Sequence, residues 1–143
     1  MPEKCAEFQV SQKALLIRDN KILIVLDRNT KKWDAPGGRI DKGEEGEPSF
    51  RREVKEELGF DEFKIISAVD YHILYDARSG IPYCTTANLI ENENDEIKLS
   101  DEHLEYKWIK EEEIDKYNFI YPEDNRLFKK AFEYYRLLKR NEK

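Results

Sequence analysis

Two apolar runs stand at residues 13–18 and 21–27, each rich in branched aliphatics, with only Asp19-Asn20 between them. Both separating residues tolerate left-handed backbone, so the pattern predicts a β-hairpin closed by a two-residue turn. A polar loop at residues 28–32 leads into Trp33-Asp34-Ala35-Pro36-Gly37-Gly38. There the paired glycines let the backbone turn tightly or come close to a ligand. The period then changes: Phe50, Val54 and Leu58 recur every four residues. That spacing predicts a helix over residues 48–58, with Pro48 as its first residue and Gly59 as its stop. Residues 63–68, 71–75, 83–90 and 105–109 read as later strands, with turns at residues 78–82 and 91–96. Residues 124–140 form an amphipathic pattern with Leu127, Phe128, Ala131, Phe132, Tyr135 and Leu138 on its inner side. Strands around a central helix, closed by a second helix, predict an α/β fold with a sheet covered on two faces.

Size and composition narrow this picture. A chain of 143 residues fits one domain, and no linker, repeat or low-complexity segment divides it. The net charge of -6 argues against a nucleic-acid or anionic-membrane surface, while a small charged substrate remains accessible through a bound cation. Cys5 and Cys84 have no metal-site or redox spacing and read as reduced thiols. With only His72 and His103, a multi-histidine zinc site cannot be assembled. Neither a membrane-length apolar run nor a signal-peptide core is present, which makes the cytoplasm the expected location, with no membrane partner.

The central helix carries an arrangement that its own stability does not favour. At about 100° per residue, Phe50, Val54 and Leu58 share one sector, and Glu53, Glu56 and Glu57 share the arc beside it. Glu53 repels both partners at spacings of three and four, at roughly 0.2–0.5 kcal/mol per pair. Glu56 and Glu57 also lie in the last turn, where the helix dipole prefers cations. A divalent cation would remove the conflict, because magnesium prefers hard oxygen ligands. Taken alone, three glutamates on a solvated face of a Glu-rich chain would explain as much.

The wider pattern decides between these readings. Gly38-x5-Glu44-x7-Arg52-Glu53-Val54-x-Glu56-Glu57-x-Gly59-Phe60 resembles the signature box of the Nudix hydrolase family, with all seven fixed identities at the right spacings. Phe60 stands where the box usually has a bulky aliphatic residue. Trp33-x-x-Pro36-Gly37-Gly38 upstream and Glu102-x5-Trp108 downstream also look like the family.

The resemblance implies a Nudix fold, a mixed β-sheet sandwiched between helices. It also implies metal-dependent hydrolysis of a pyrophosphate bond in a nucleotide-like small molecule. It gives Glu53, Glu56 and Glu57 as ligands to Mg2+ or Mn2+, and pairs Arg52 with Glu44 and Glu56 in support of the site. Gly37 and Gly38 shape the loop beneath it. The general base is either a box glutamate or one from a later loop, for which Glu102 is the candidate; an ordinary exposed acid is the competing reading. Trp33 is balanced between stacking on a base and packing, whereas Trp108 reads as core. His72 and His103 read as ordinary partly buried or surface residues.

Tyr75, about sixteen residues past the box, resembles a tyrosine of dinucleoside polyphosphate hydrolases. ADP-ribose hydrolases tend to show a proline nearby, and Pro82 is too far downstream for that. With Trp33 and Arg78, Tyr75 completes the expected substrate wall. The leading reading is thus a nucleoside diphosphate linked to another moiety. A nucleoside triphosphate pyrophosphohydrolase, including one for oxidised nucleotides, is the alternative. A nucleotide sensor without catalysis would be expected to have lost box carboxylates, and an RNA-processing factor would want a basic groove. No stable nucleic-acid partner is expected, and a monomer or homodimer is.

Overall fold

The structure is a computed structural model that describes residues 4–75 and 79–141. The hairpin forms as expected: β1 (Gln9–Arg18) and β2 (Lys21–Asp27) pair antiparallel, Ile17 opposite Ile22 and Arg18 opposite Lys21. Asp19 and Asn20 hold φ of 49° and 61°. Two consecutive left-handed residues give the turn a twist that matches the strands. Short β3 (Trp33–Asp34) and β4 (Gly37–Arg39) then pair with β2 and β1 respectively.

Helix α1 spans Gly46–Leu58 and so starts two residues before Pro48. Proline fits there because first-turn N–H groups have no intrahelical partner. Gly59 ends the helix at φ 91°, its N–H donating to the Lys55 carbonyl at 3.0 Å.

Strand β5 (Lys64–Tyr75) joins the two runs read separately in the sequence. Its pairing with β6 (Pro82–Glu91) shifts register between Ile65 and Ser67 and between Ala68 and Asp70. The residues passed over at these bulges are Ile66 and Val69, and the ladder continues beyond each. Strand β7 (His103–Ile109) pairs with β2. A short 3-10 helix (Glu111–Lys116) then leads towards α2 (Asp124–Asn141). Arg126 of α2 reaches back to Asp70 at 2.8 Å.

The main strand order is β3-β2-β1-β6-β5, with β1 and β6 parallel from Gln9 opposite Tyr83 to Leu16 opposite Ile90. The other pairings are antiparallel, so the sheet is mixed. Both faces are covered, which is why residues 14–17 read as an unbroken apolar run. Ala14, Leu16, Leu23 and Val25 pack with Phe50, Val54, Leu58 and Phe60, giving the aromatic end of the box its core pocket. Leu15, Ile17, Ile22 and Ile24 pack on the other face with Leu127, Phe128, Ala131 and Phe132. Among the described residues no helix is long and apolar enough to cross a membrane.

Candidate active site

The site begins where β4 is clamped against β1. Gly37, at φ 135°, lies opposite Lys13, and a side chain there would run into the Gln12 carbonyl. At Gly38 a side chain would instead occupy the space of the Glu53 carboxylate. The second glycine is therefore what lets α1 bring Glu53 against the strand. One turn on, Glu57 accepts a hydrogen bond from the Gly37 N–H. The Pro-Gly-Gly segment and the glutamate arc are thus two halves of one structure.

Arg52 organises the outer side. Its Nε and Nη2 grip Glu44 in a two-pronged bond, both at 2.8 Å. It also reaches Glu56 at 3.1 Å, Glu53 at 3.2 Å and Asp41 at 3.3 Å. The expected pairing with Glu44 and Glu56 is present, and Glu53 and Asp41 join it. Hydrogen bonding from Arg52 holds Glu44 down to about 2, while the same network keeps the guanidinium charged. Arg52 fixes the carboxylates and stands outside the cavity wall.

The three expected metal ligands differ in setting. Glu57 is buried, and desolvation lifts it to about 8 against the pull of the Gly37 N–H and of Lys13. Burial also raises Glu53, with Arg52 opposing. Glu56 is exposed and turned to Arg52. Among the described residues no three carboxylates converge as a ready-made cage. The donor set nonetheless suits a hard divalent cation: two carboxylates flank the glycine strand, and the more buried one is held there at a cost that a cation would offset.

Beside Glu57 a cavity of about 380 Å³ opens on the α2 face of the sheet, a size typical of small-molecule sites. Gly37, Gly38, Glu57 and Glu102 all line it, so the later-loop glutamate and the box share one space. Glu53, Glu56 and Arg52 stand outside that lining.

The expected substrate wall is placed differently. Trp33 is buried in the core with its ring edge-on to Tyr117 at 5.6 Å, and does not line the cavity. Strand alternation sends its neighbour Asp34 there instead. Tyr75 is 66% exposed and alternates with His72 and Leu74, which face the cavity, so it points to the opposite side of the sheet. Arg78 lies outside the described residues. Trp108 is half-buried under the Arg18 guanidinium, 5.3 Å from its ring centre.

Several cavity residues were not singled out from the sequence. His72 and His103, read as ordinary, both line it. Burial lowers His103 despite the nearby Asp27 and Glu102, which favours the neutral ring. Arg39 stacks on Tyr83 and donates to its hydroxyl at 2.9 Å. Lys13 is paired with Asp34 at 2.8 Å. A lysine directly before the apolar run Ala14 to Ile17 was the available signal for that pair, since a charge there requires a partner.

The chain is similar to several known proteins. An RNA pyrophosphohydrolase of Campylobacter jejuni is 45% identical over 49 residues, 34% of this chain and 31% of that protein. The chain thus matches about a third of the length of such curated relatives. Among solved structures, a C. elegans Ap4A hydrolase complex superposes with a TM-score of 0.75, covering 90% of this chain and 98% of that one at 24% identity. A MutT protein from Methanosarcina mazei Go1 gives 0.72 at 23% identity, covering 96% and 98%. At these identities the structures show a shared fold. The family model for the NUDIX domain matches residues 7–131, which contain every box residue above, and the chain therefore belongs to the NUDIX family.

Proposed function

We propose that the chain hydrolyses, with Mg2+ or Mn2+, a pyrophosphate bond in a nucleoside diphosphate joined to another moiety, such as a dinucleoside polyphosphate. The observation that carries this reading is the meeting of Glu57, Glu102 and the Gly37-Gly38 strand on one nucleoside-sized cavity. Arg39 is also the wall between that cavity and an open groove of about 730 Å³ lined by Phe8, Val10, Ile40, Ile81 and Pro82. Room on both sides of one arginine suits a pyrophosphate with a group at each end.

Glu53, Glu56 and Glu57 would hold the cation. When bound, it supplies neutralisation of the phosphate oxygens and a more acidic water. Arg52 keeps the carboxylates aimed through its grip on Glu44. Glu102, on the cavity wall and free of any ion pair in the described structure, accepts the proton of the attacking water. Arg39, whose side-chain hydrogen bond goes to the Tyr83 hydroxyl rather than to a carboxylate, keeps its charge available for a phosphate.

A nucleoside triphosphate is the second reading, and one observation favours it: neither Trp33 nor Tyr75 stands at the cavity to hold a second base. A panel of dinucleoside tetraphosphate, nucleoside diphosphate sugar and nucleoside triphosphate, each with Mg2+ or chelator, separates the two. A 5′-triphosphorylated oligonucleotide belongs in it because of the C. jejuni relative's name. The highest kcat/KM on a conjugate supports the proposal; a triphosphate cut best, releasing pyrophosphate, replaces it with the second reading.

A further inference from the structure

At the inner end of the cavity stands a cluster that the hydrolysis does not use. Lys13 lies on β1 immediately before the apolar residues Ala14 to Ile17, with 11% of its side chain exposed. Its Nζ donates to Asp34 at 2.8 Å and, at the limit of bonding, to the Ala35 carbonyl at 3.5 Å. The second Asp34 oxygen accepts from the Ala35 N–H at 2.8 Å. Behind the pair, the first residue of α2, Asp124, is 2% exposed, and its Oδ2 has no hydrogen-bond partner among the described residues. Burial, with the nearby Asp34 carboxylate, lifts Asp124 to about 8 against the pull of Lys13. Asp34 is the carboxylate in direct contact with the lysine, and Asp124 makes no ion pair with it among the described residues.

A buried ion pair of this kind gives the fold little that two apolar side chains would not. Its location gives it another use. Lys13 and Asp34 both line the cavity, so the ammonium is fixed in place with one N–H still to donate. Within a largely polar lining, Leu74, Ile120 and Tyr121 supply an apolar and aromatic stretch of wall on which a planar heterocycle can pack. Asp27, Asp34 and Glu102 make this space unfavourable for a further anion without a cation, and Arg39 offers a phosphate a separate place at the rim.

We propose that Lys13, fixed by Asp34 and backed by Asp124, is the specificity-determining residue of the cavity. It donates to an exocyclic carbonyl oxygen of the nucleobase, favouring keto bases over bases with an amino group at that position. This rests on the proposed nucleotide substrate, and the test is made independent of hydrolysis by measuring binding.

Calorimetric titration of the full chain with the monophosphates of inosine, uridine, adenosine and cytidine reads the preference without any cleavable bond. Wild type is expected to bind the two keto nucleotides about tenfold more tightly, equivalent to about 1.4 kcal/mol. Lys13→Met alone would strand the Asp34 charge, so the informative variant is Lys13→Met with Asp34→Asn, its fold checked by circular dichroism. It should bind all four nucleotides within about twofold of one another, with inorganic pyrophosphate binding unchanged. No base preference in wild type overturns the proposal, as does failure to bind any of the four. Equal weakening of all four and of pyrophosphate also overturns it and makes Lys13 a phosphate ligand. A clear keto preference in a chain that cleaves no phosphoanhydride would refute the hydrolysis and leave this inference standing.

Discussion

Replacing Glu57 with glutamine should make the metal-free protein more stable while nearly abolishing turnover. In the folded chain burial raises the carboxyl from 4.5 to about 8. A carboxyl raised on folding leaves stability intact below its unfolded value and withdraws it progressively as pH climbs towards the folded value. The loss runs from about pH 4.5 to about pH 8. At pH 7 it amounts to about 3 kcal/mol, at 1.36 kcal/mol for each unit between the unfolded value and the working pH. Glutamine keeps the acceptor for the Gly37 N–H and removes the titration. For a chain of this length that corresponds to roughly 6–12 °C in Tm. The assay is thermal unfolding of both proteins in chelator from pH 4.5 to 8.5. Asp124 titrates in both, so only the difference between the two curves reports Glu57. The curves should meet near pH 4.5 and separate as pH rises. Saturating Mg2+ should then raise the wild-type Tm and leave the variant nearly unmoved. Parallel curves, or a variant with normal turnover, would refute the reasoning.

Other substitutions test the remaining parts. Glu56→Gln touches only an exposed carboxylate held by Arg52, so turnover should fall by orders of magnitude with Tm nearly unchanged; steady-state rates beside a melting curve check both. Glu102→Gln should lower kcat by roughly 10²–10⁴ with a native circular dichroism spectrum; an unchanged rate would return the base to the box. Gly38→Ala should push Glu53 off the strand and raise the Mg2+ concentration needed for half-maximal rate, since the added methyl falls on the carboxylate. Trp33→Ala should act on stability, by about 3–5 kcal/mol for a large buried aromatic, with KM following only as far as Asp34 is disturbed; a selective KM effect at unchanged Tm would restore base stacking.

What the sequence made legible follows from the range of the interactions involved. The hairpin turn and the α1 stop depend on the backbone preferences of Asp19, Asn20 and Gly59, and local chemistry is enough to read them. The glutamate arc is equally local, because helix geometry fixes which residues share a face. The identity of the second glycine's partner, Glu53, was not legible, because strand and helix meet only in the fold. The cavity wall failed for a related reason. Trp33 looked as suited to a base as to a core, and the choice depended on Tyr117, which lies far along the chain and covers its edge. Tyr75 was assigned by its distance from the box, but the bulges in β5 and the two-residue alternation decide which face it takes. Lys13, Asp34 and Asp124 come from three separate elements, so the sequence could show that the lysine needs a partner but not which residues meet it.

The central claim is that this glutamate arc serves a cation-dependent cleavage of a nucleotide pyrophosphate bond. The most direct test is ³¹P nuclear magnetic resonance of a dinucleoside tetraphosphate incubated with wild type and with Glu56→Gln, each in Mg2+ and in chelator. The account predicts that terminal phosphate resonances appear at the expense of bridging ones only for wild type with Mg2+. Cleavage that persists in chelator, or that the variant performs at the wild-type rate, would contradict it.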